Sequence, residues 1–177
     1  MRNIVEGRYF LSALEHVIRN PVYYGITLWF LAAKWVTDFC NNEPNLIPVL
    51  QDAGVTEAIL NVLSTDIPAS PEILSELPNL LAALCLNETG LAAFIKARPL
   101  NAISDIFMSR KYLSSMGNDT AAAMGSAMDE LLRHQPALRE PGIKAIVAMV
   151  ENLIVLGRSP SITISIGTCL FIFLIIL

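Results

Sequence analysis

The feature that most constrains this chain is an apolar triplet with helical spacing that returns every forty-odd residues. Phe10, Ala13 and Val17 stand at i, i+3 and i+7, and so do Val55, Ala58 and Val62. Leu100, Ile103 and Phe107 repeat the spacing, as do Ile143, Ile146 and Val150. The starts lie 45, 45 and 43 residues apart. Residues at these offsets share one face of an α-helix, so each triplet reads as one stripe of an amphipathic helix. A period of roughly 40–47 residues is that of HEAT and armadillo arrays, whose helical units bury their apolar faces only against neighbouring units. The predicted fold class is therefore all-α, an armadillo/HEAT-like α-solenoid fragment. In a chain that is 54% hydrophobic such triplets also arise by chance, so the reading needs the signals between them.

Those signals are helical. The pattern predicts a first helix over residues 8–18. Asn20-Pro21 then reads as an N-cap with proline at the first helical position, opening a second helix to about residue 40. Residues 22–33 are almost continuously apolar. That run is too short for a bilayer span and predicts a helix buried on most sides. Asn41-Asn42-Glu43-Pro44 breaks the pattern, and a short helix over 45–52 ends at Gly54, in the position of a C′ glycine. A helix follows over 55–63. Ser70-Pro71-Glu72 starts another, which Pro78 is expected to break or kink before a helix over 79–86. Further helices are predicted over 91–97 and 100–108, with a loop over 109–118. Asn118 or Asp119 caps a helix that ends at His134 before Pro136, and Pro141 opens a last helix to about 156, closed by Gly157. Residues 1–156 nowhere alternate with period two over a useful length, so no strand is predicted.

Composition narrows the function classes. At 177 residues the default is one domain, repeat segment 1–158 followed by a distinct tail 159–177. A chain with 54% hydrophobic and only 16% charged residues is too apolar for disorder. Twelve basic residues face sixteen acidic ones, and Arg110-Lys111 is the only adjacent basic pair. No stripe exists to neutralise a run of phosphates, so nucleic acid is not an expected partner. Cys40, Cys85 and Cys169 are far apart and lack metal spacing. They suit a reducing compartment, with Cys40 and Cys85 acting as small buried hydrophobes. The first eight residues contain no apolar stretch of signal-peptide type. Asn87-Glu88-Thr89 fits the N-glycosylation pattern, which without a secretory leader reads as a chance match.

No residue set calls for catalysis, and no catalytic, cofactor-binding or metal-binding residue and no cofactor is predicted. His16 and His134 are the only histidines, and neither has a second ligand at metal spacing. His134 sits near a helix C-terminus, which favours a cation. Asp129 and Arg133 are spaced for an exposed ion pair, while Glu72 and Glu76 read as a solvated face. Gly117 and Gly125 flank a polar stretch, but no GK[ST] follows and no strand precedes, so no phosphate loop is read there. Gly125, among Ala121, Ala122, Ala123, Ser126 and Ala127, predicts a close approach of two helices.

Three blocks carry a family resemblance. The first is Pro21-Val22-Tyr23-Tyr24-Gly25, with Asn42-Glu43-Pro44 and Leu50-Gln51-Asp52-Ala53-Gly54. The second is Leu77-Pro78-Asn79, with Ala83-Leu84-Cys85-Leu86-Asn87 and Gly90-Leu91. The third and most specific is Asn118-Asp119-Thr120-Ala121, with Gly125-Ser126-Ala127-Met128-Asp129-Glu130-Leu131-Leu132-Arg133-His134-Gln135-Pro136. Together, over residues 8–158, they resemble the N-terminal armadillo-like arm of giant HECT-type E3 ubiquitin ligases, the family that also carries UBA and WWE domains in animals. The resemblance implies a scaffold that helps build a ring-shaped solenoid and gathers protein substrates. It places ubiquitin transfer on a cysteine of a C-terminal HECT domain, so no cysteine of this chain inherits that role. Two departures stand out: segment 113–117 is short where family members carry a longer basic insertion, and the likeness ends after Gly157-Arg158.

Residues 159–177 carry no charge. Three readings of this tail stand side by side. Residues 162–177 could anchor a small helical protein in a membrane, although a bilayer core of about 30 Å calls for about 20 residues. They could form a buried or strand-like tail, since β-branched residues dominate. Or the reading frame has run into non-coding sequence where the family likeness stops. The expected partners are protein substrates or the rest of a ligase ring, in cytoplasm or nucleus, with a membrane only if the tail is genuine.

Overall fold

The computed structural model describes residues 8–65 and 67–157, and every regular element among them is helical. The α-helices are α1 (Arg8–Arg19), α2 (Pro21–Asn42), α3 (Ile47–Asp52), α4 (Val55–Thr65), α5 (Pro71–Leu84), α6 (Glu88–Ala97), α7 (Pro99–Met108), α8 (Asn118–His134) and α9 (Arg139–Gly157). Short 3-10 turns occupy Pro44–Leu46, Arg110–Ser115 and Pro136–Leu138. The fold class is all-α and solenoid-like. Among the described residues the chain divides into two compact units, one up to Pro68 with Asn79–Pro99 and one of Ala69–Pro78 with the residues from Leu100 onward.

In the first unit α4 is the central rod. Val55, Thr56, Ala58, Ile59, Leu60, Val62 and Leu63 are all buried, and α1, α3 and α6 pack around it. Helix α1 turns Leu11, Leu14 and Ile18 inward and leaves Tyr9, Ser12 and His16 outside. At its end Asn20 donates from Nδ2 to the His16 carbonyl at 2.8 Å, and the N–H groups of Tyr23 and Tyr24 bond back to the Asn20 carbonyl. The buried Trp29 donates from Nε1 to the Ile18 carbonyl at 2.9 Å, tying α2 to α1.

Two expectations about α2 are corrected here. It is not one unbroken rod: Gly25 stands at φ +78°, ψ +167°, and the first turn, Pro21 to Tyr24, runs in a different direction from the rest. Only glycine occupies that backbone region readily, because any Cβ would crowd the neighbouring carbonyl. Nor is residue stretch 22–33 buried on most sides. Trp29, Ala32, Ala33 and Val36 face inward, whereas Val22 is 88% exposed, Tyr23 81% and Leu31 54%, with Ile26 and Leu28 also outside. Farther along, Gly54 takes φ +78° and its N–H bonds the Gln51 carbonyl at 2.9 Å, the helix stop its position predicts.

Pro78 was expected to break or kink its helix; it does not break it, and α5 runs through it from Pro71 to Leu84. A proline inside a helix costs about 3 kcal/mol. Ile73, Leu74, Leu77, Leu80, Leu81 and Leu84 are buried on both sides of it, and each such side chain contributes about 1.5–3 kcal/mol. Burial therefore outweighs the lost hydrogen bond. Helix α6 also starts earlier than predicted, at Glu88, because Asn87 caps it.

In the second unit α8 buries Ala121, Met124, Gly125, Met128 and Leu131 along one face. The expected loop over 109–118 contains the 3-10 turn, with Tyr112, Ser115 and Met116 buried. Gly117, rather than Asn118 or Asp119, holds the cap position of α8. Arg139 folds back over the end of α8, donating from Nε to the Leu132 carbonyl and from Nη2 to the Arg133 carbonyl, both at 3.3 Å. Its guanidinium satisfies carbonyls that have no partner within the helix. Helix α9 consequently starts at Arg139, with Pro141 in its first turn, where no N–H is needed. The tail 159–177 lies outside the described residues.

Candidate interaction surface

The twelve triplet residues fall into two groups. Val55, Ala58, Val62, Leu100, Ile103 and Phe107 are buried. Phe10, Val17, Ile146 and Val150 are half-buried, Ala13 is exposed, and Ile143 is 61% exposed. In the first and last of these helices the buried stripe keeps the i, i+3, i+7 spacing but lies one residue away: Leu11, Leu14 and Ile18 in α1, and Gly142, Ala145 and Met149 in α9. Adjacent positions there are both apolar, and one residue is a rotation of about 100°. Spacing alone could not choose between them.

The second unit shows why α9 turns this way. Gly142 lets α9 approach α8 so closely that a Cβ on it would lie 2.8 Å from Leu132 Cδ2. Phe107, Met128, Ala145 and Met149 close around an apolar void of about 50 Å³ among α7, α8 and α9. The side of α9 away from this packing carries Ile143, Val147 and Ile154, all exposed. Gly125, the glycine singled out by its alanine-rich context, is buried in α8.

Burial pushes the Cys40 thiol up to about 11 and the Cys85 thiol up to about 12, because the thiolate would lose its hydration. Neither is therefore a nucleophile at neutral pH. Cys169 lies outside the described residues. His16 stands edge-on to Tyr24, with ring centroids 5.8 Å apart, and its Nδ1 lies 3.4 Å from Asn20 Nδ2. His134 is exposed, 3.9 Å from Glu130. Asp129 and Arg133 form the predicted surface pair. Ser70 hydrogen-bonds the Glu72 carboxylate and holds it below its ordinary range, as Lys144 does for Glu140. Among the described residues no group of three or more His, Cys, Asp or Glu is placed to hold a metal ion.

What the first unit offers instead is an uneven apolar surface. Where α1 passes into α2 lies an open concavity of about 630 Å³, lined by Arg19, Asn20, Pro21, Val22, Tyr23 and, from α4, Val62 and Thr65. Arg19 is held by Glu15 at 2.5 Å, so its charge is matched locally. Tyr23 stands edge-on to Tyr24, with centroids 4.9 Å apart. Exposed aromatic and aliphatic side chains at this helical corner supply contact area and no chemistry. Among the described residues no single helix is long and apolar enough to cross a membrane; one bent pair, Pro44–Asp52 with Val55–Thr65, passes on length and composition. Its second member is the buried α4.

Short helices with exposed apolar side chains and, among the described residues, no metal-holding cluster define the class of all-α, solenoid-like fragments. The comparison with known proteins is more specific: residues 1–173 match the family model described as Domain of Unknown Function (DUF913), and the chain belongs to that family. That match continues past Arg158, where the residue-by-residue likeness was expected to end. The E3 ubiquitin-protein ligase HUWE1 of Mus musculus is 40% identical over 169 residues, covering 90% of this chain. UPL2 of Arabidopsis thaliana is 32% identical over 84% of the chain, and ptr1 of Schizosaccharomyces pombe 27% over 86%; both are named E3 ubiquitin-protein ligases. The chain is homologous to the N-terminal region of these HECT ligases. It spans only about 4% of the length of the first two and 5% of the third.

Proposed function

We propose that this chain is a non-catalytic scaffold and substrate-binding segment of a HECT-type E3 ubiquitin ligase, working in cytoplasm or nucleus. The carrying observation is the 40% identity to a named ubiquitin ligase over 90% of this chain, confined to 4% of that ligase. A segment that occupies so small a share of a ligase, and that buries Cys40 and Cys85 in protonated form, supports assembly and recognition rather than transfer. Protein substrates, or neighbouring segments of the same ligase, are the partners that exposed Val22, Tyr23, Leu31 and Ile143 suit. The forty-odd-residue repeat over residues 1–158, with 159–177 as a separate tail, belongs to the same proposal.

The test is ubiquitin charging. The full chain, incubated with activating enzyme, conjugating enzyme, ATP and ubiquitin, is expected to form no thiol-sensitive adduct. A ubiquitin thioester on any of its cysteines would overturn the non-catalytic reading.

A further inference from the structure

The second sequence block contains Asn87-Glu88-Thr89, a three-residue acceptor pattern for N-glycosylation. In the structure this asparagine is the centre of a joint in the first unit. Its Oδ1 accepts the Gly90 N–H at 2.8 Å, capping α6. The same oxygen accepts Gln51 Nε2 at 2.8 Å, while Asn87 Nδ2 donates to Gln51 Oε1 at 3.2 Å. Two primary amides bonded reciprocally must each use the N–H on the same side as their own carbonyl oxygen. The joint is tight: a Cβ on Gly90 would overlap the Leu84 carbonyl oxygen and lie 2.9 Å from Asn87 Oδ1.

We propose that a glycan on Asn87 and the native fold of this chain are mutually exclusive. Glycosylation forms a bond from Nδ2 to the anomeric carbon, releases one Nδ2 proton and expels the donor's phosphate group. The product is a secondary amide, which strongly prefers its two carbon substituents trans. The sugar carbon then lies on the carbonyl-oxygen side of the nitrogen, where the hydrogen bonded to Gln51 Oε1 now stands. Keeping the sugar means opening the amide pair and leaving Gln51 Oε1 without its donor. The pattern is therefore closed as an acceptor in the folded chain, and the joint forms only where no sugar is added during synthesis.

Co-expression of the full chain with a soluble N-glucosyltransferase, which uses UDP-glucose and releases UDP, tests this directly. Mass spectrometry reports occupancy at Asn87, and thermal melting is compared with the chain made without the transferase. The expected result is either an unmodified folded chain, or a glucosylated one that melts at least about 5 °C lower or fails to fold. Gln51→Leu, which leaves the Asn87 hydrogen unclaimed, is expected to accept glucose with no further fall in melting temperature on glucosylation. A glucosylated wild-type chain that melts like the unmodified one would overturn the proposal. So would a folded Gln51→Leu chain as resistant to modification as wild type.

Discussion

Three glycines in this chain are constrained for different reasons, and substitution should separate them. Gly25 has a backbone conformation that side chains resist, so Gly25→Ala should cost about 1–3 kcal/mol, read as a lower urea midpoint with unchanged slope. Gly90 faces a backbone carbonyl that cannot move cheaply, and Gly90→Ala should cost at least as much through overpacking. Gly142 faces only the end of the Leu132 side chain, which can rotate away. The helix propensity gained by alanine, about 1 kcal/mol, should leave Gly142→Ala close to neutral. The two thiols add a pH dependence. Burial raises Cys40 to about 11 and Cys85 to about 12, so above the unfolded thiol value the unfolded chain loses protons that the folded chain keeps. Their contribution is complete below about pH 8.5 and is lost as pH rises through 11 to 12. The double variant Cys40→Ala/Cys85→Ala should show a shallower alkaline loss in urea melts than wild type; an identical slope would contradict the assignment.

At the scale of the helix, Pro78 is the clearest conflict between local preference and burial. Restoring an N–H with Pro78→Ala should raise the melting temperature, by up to about 3 kcal/mol of stability, less the packing lost by a buried ring. Leu substitution at buried Gly125 should lower it through overpacking, and an unchanged melt would remove close packing as the reason for glycine there. The helices themselves were legible because their signals are local: proline after asparagine, glycine after α3, and a 3.6-residue rhythm. What the rhythm could not supply was rotation. In α1 and α9 two apolar stripes lie side by side, and Leu11 or Gly142 faces inward only because of the neighbour it meets. The break at Gly25 was hidden because an isolated glycine inside an apolar run is compatible with an unbroken helix, and only the backbone angle reveals the turn. The Asn87 joint was visible as a motif, but its meaning depends on Gln51, 36 residues away, which no spacing rule connects to it.

Over the whole molecule, the decisive property is how the chain's apolar surface is divided between interior and exterior. Val22, Tyr23, Ile26, Leu28 and Leu31 in one unit, and Ile143, Val147 and Ile154 in the other, remain outside. Under the proposed function a segment built this way works by contact. The most direct measurement replaces the matching segment of the mouse ligase with this chain, beside a version in which that segment is deleted. Both should form the ubiquitin thioester at the rate of the parent, and only the chimera should modify substrates as the parent does. A deletion that abolished thioester formation, or one that left substrate modification untouched, would contradict the role assigned to this chain.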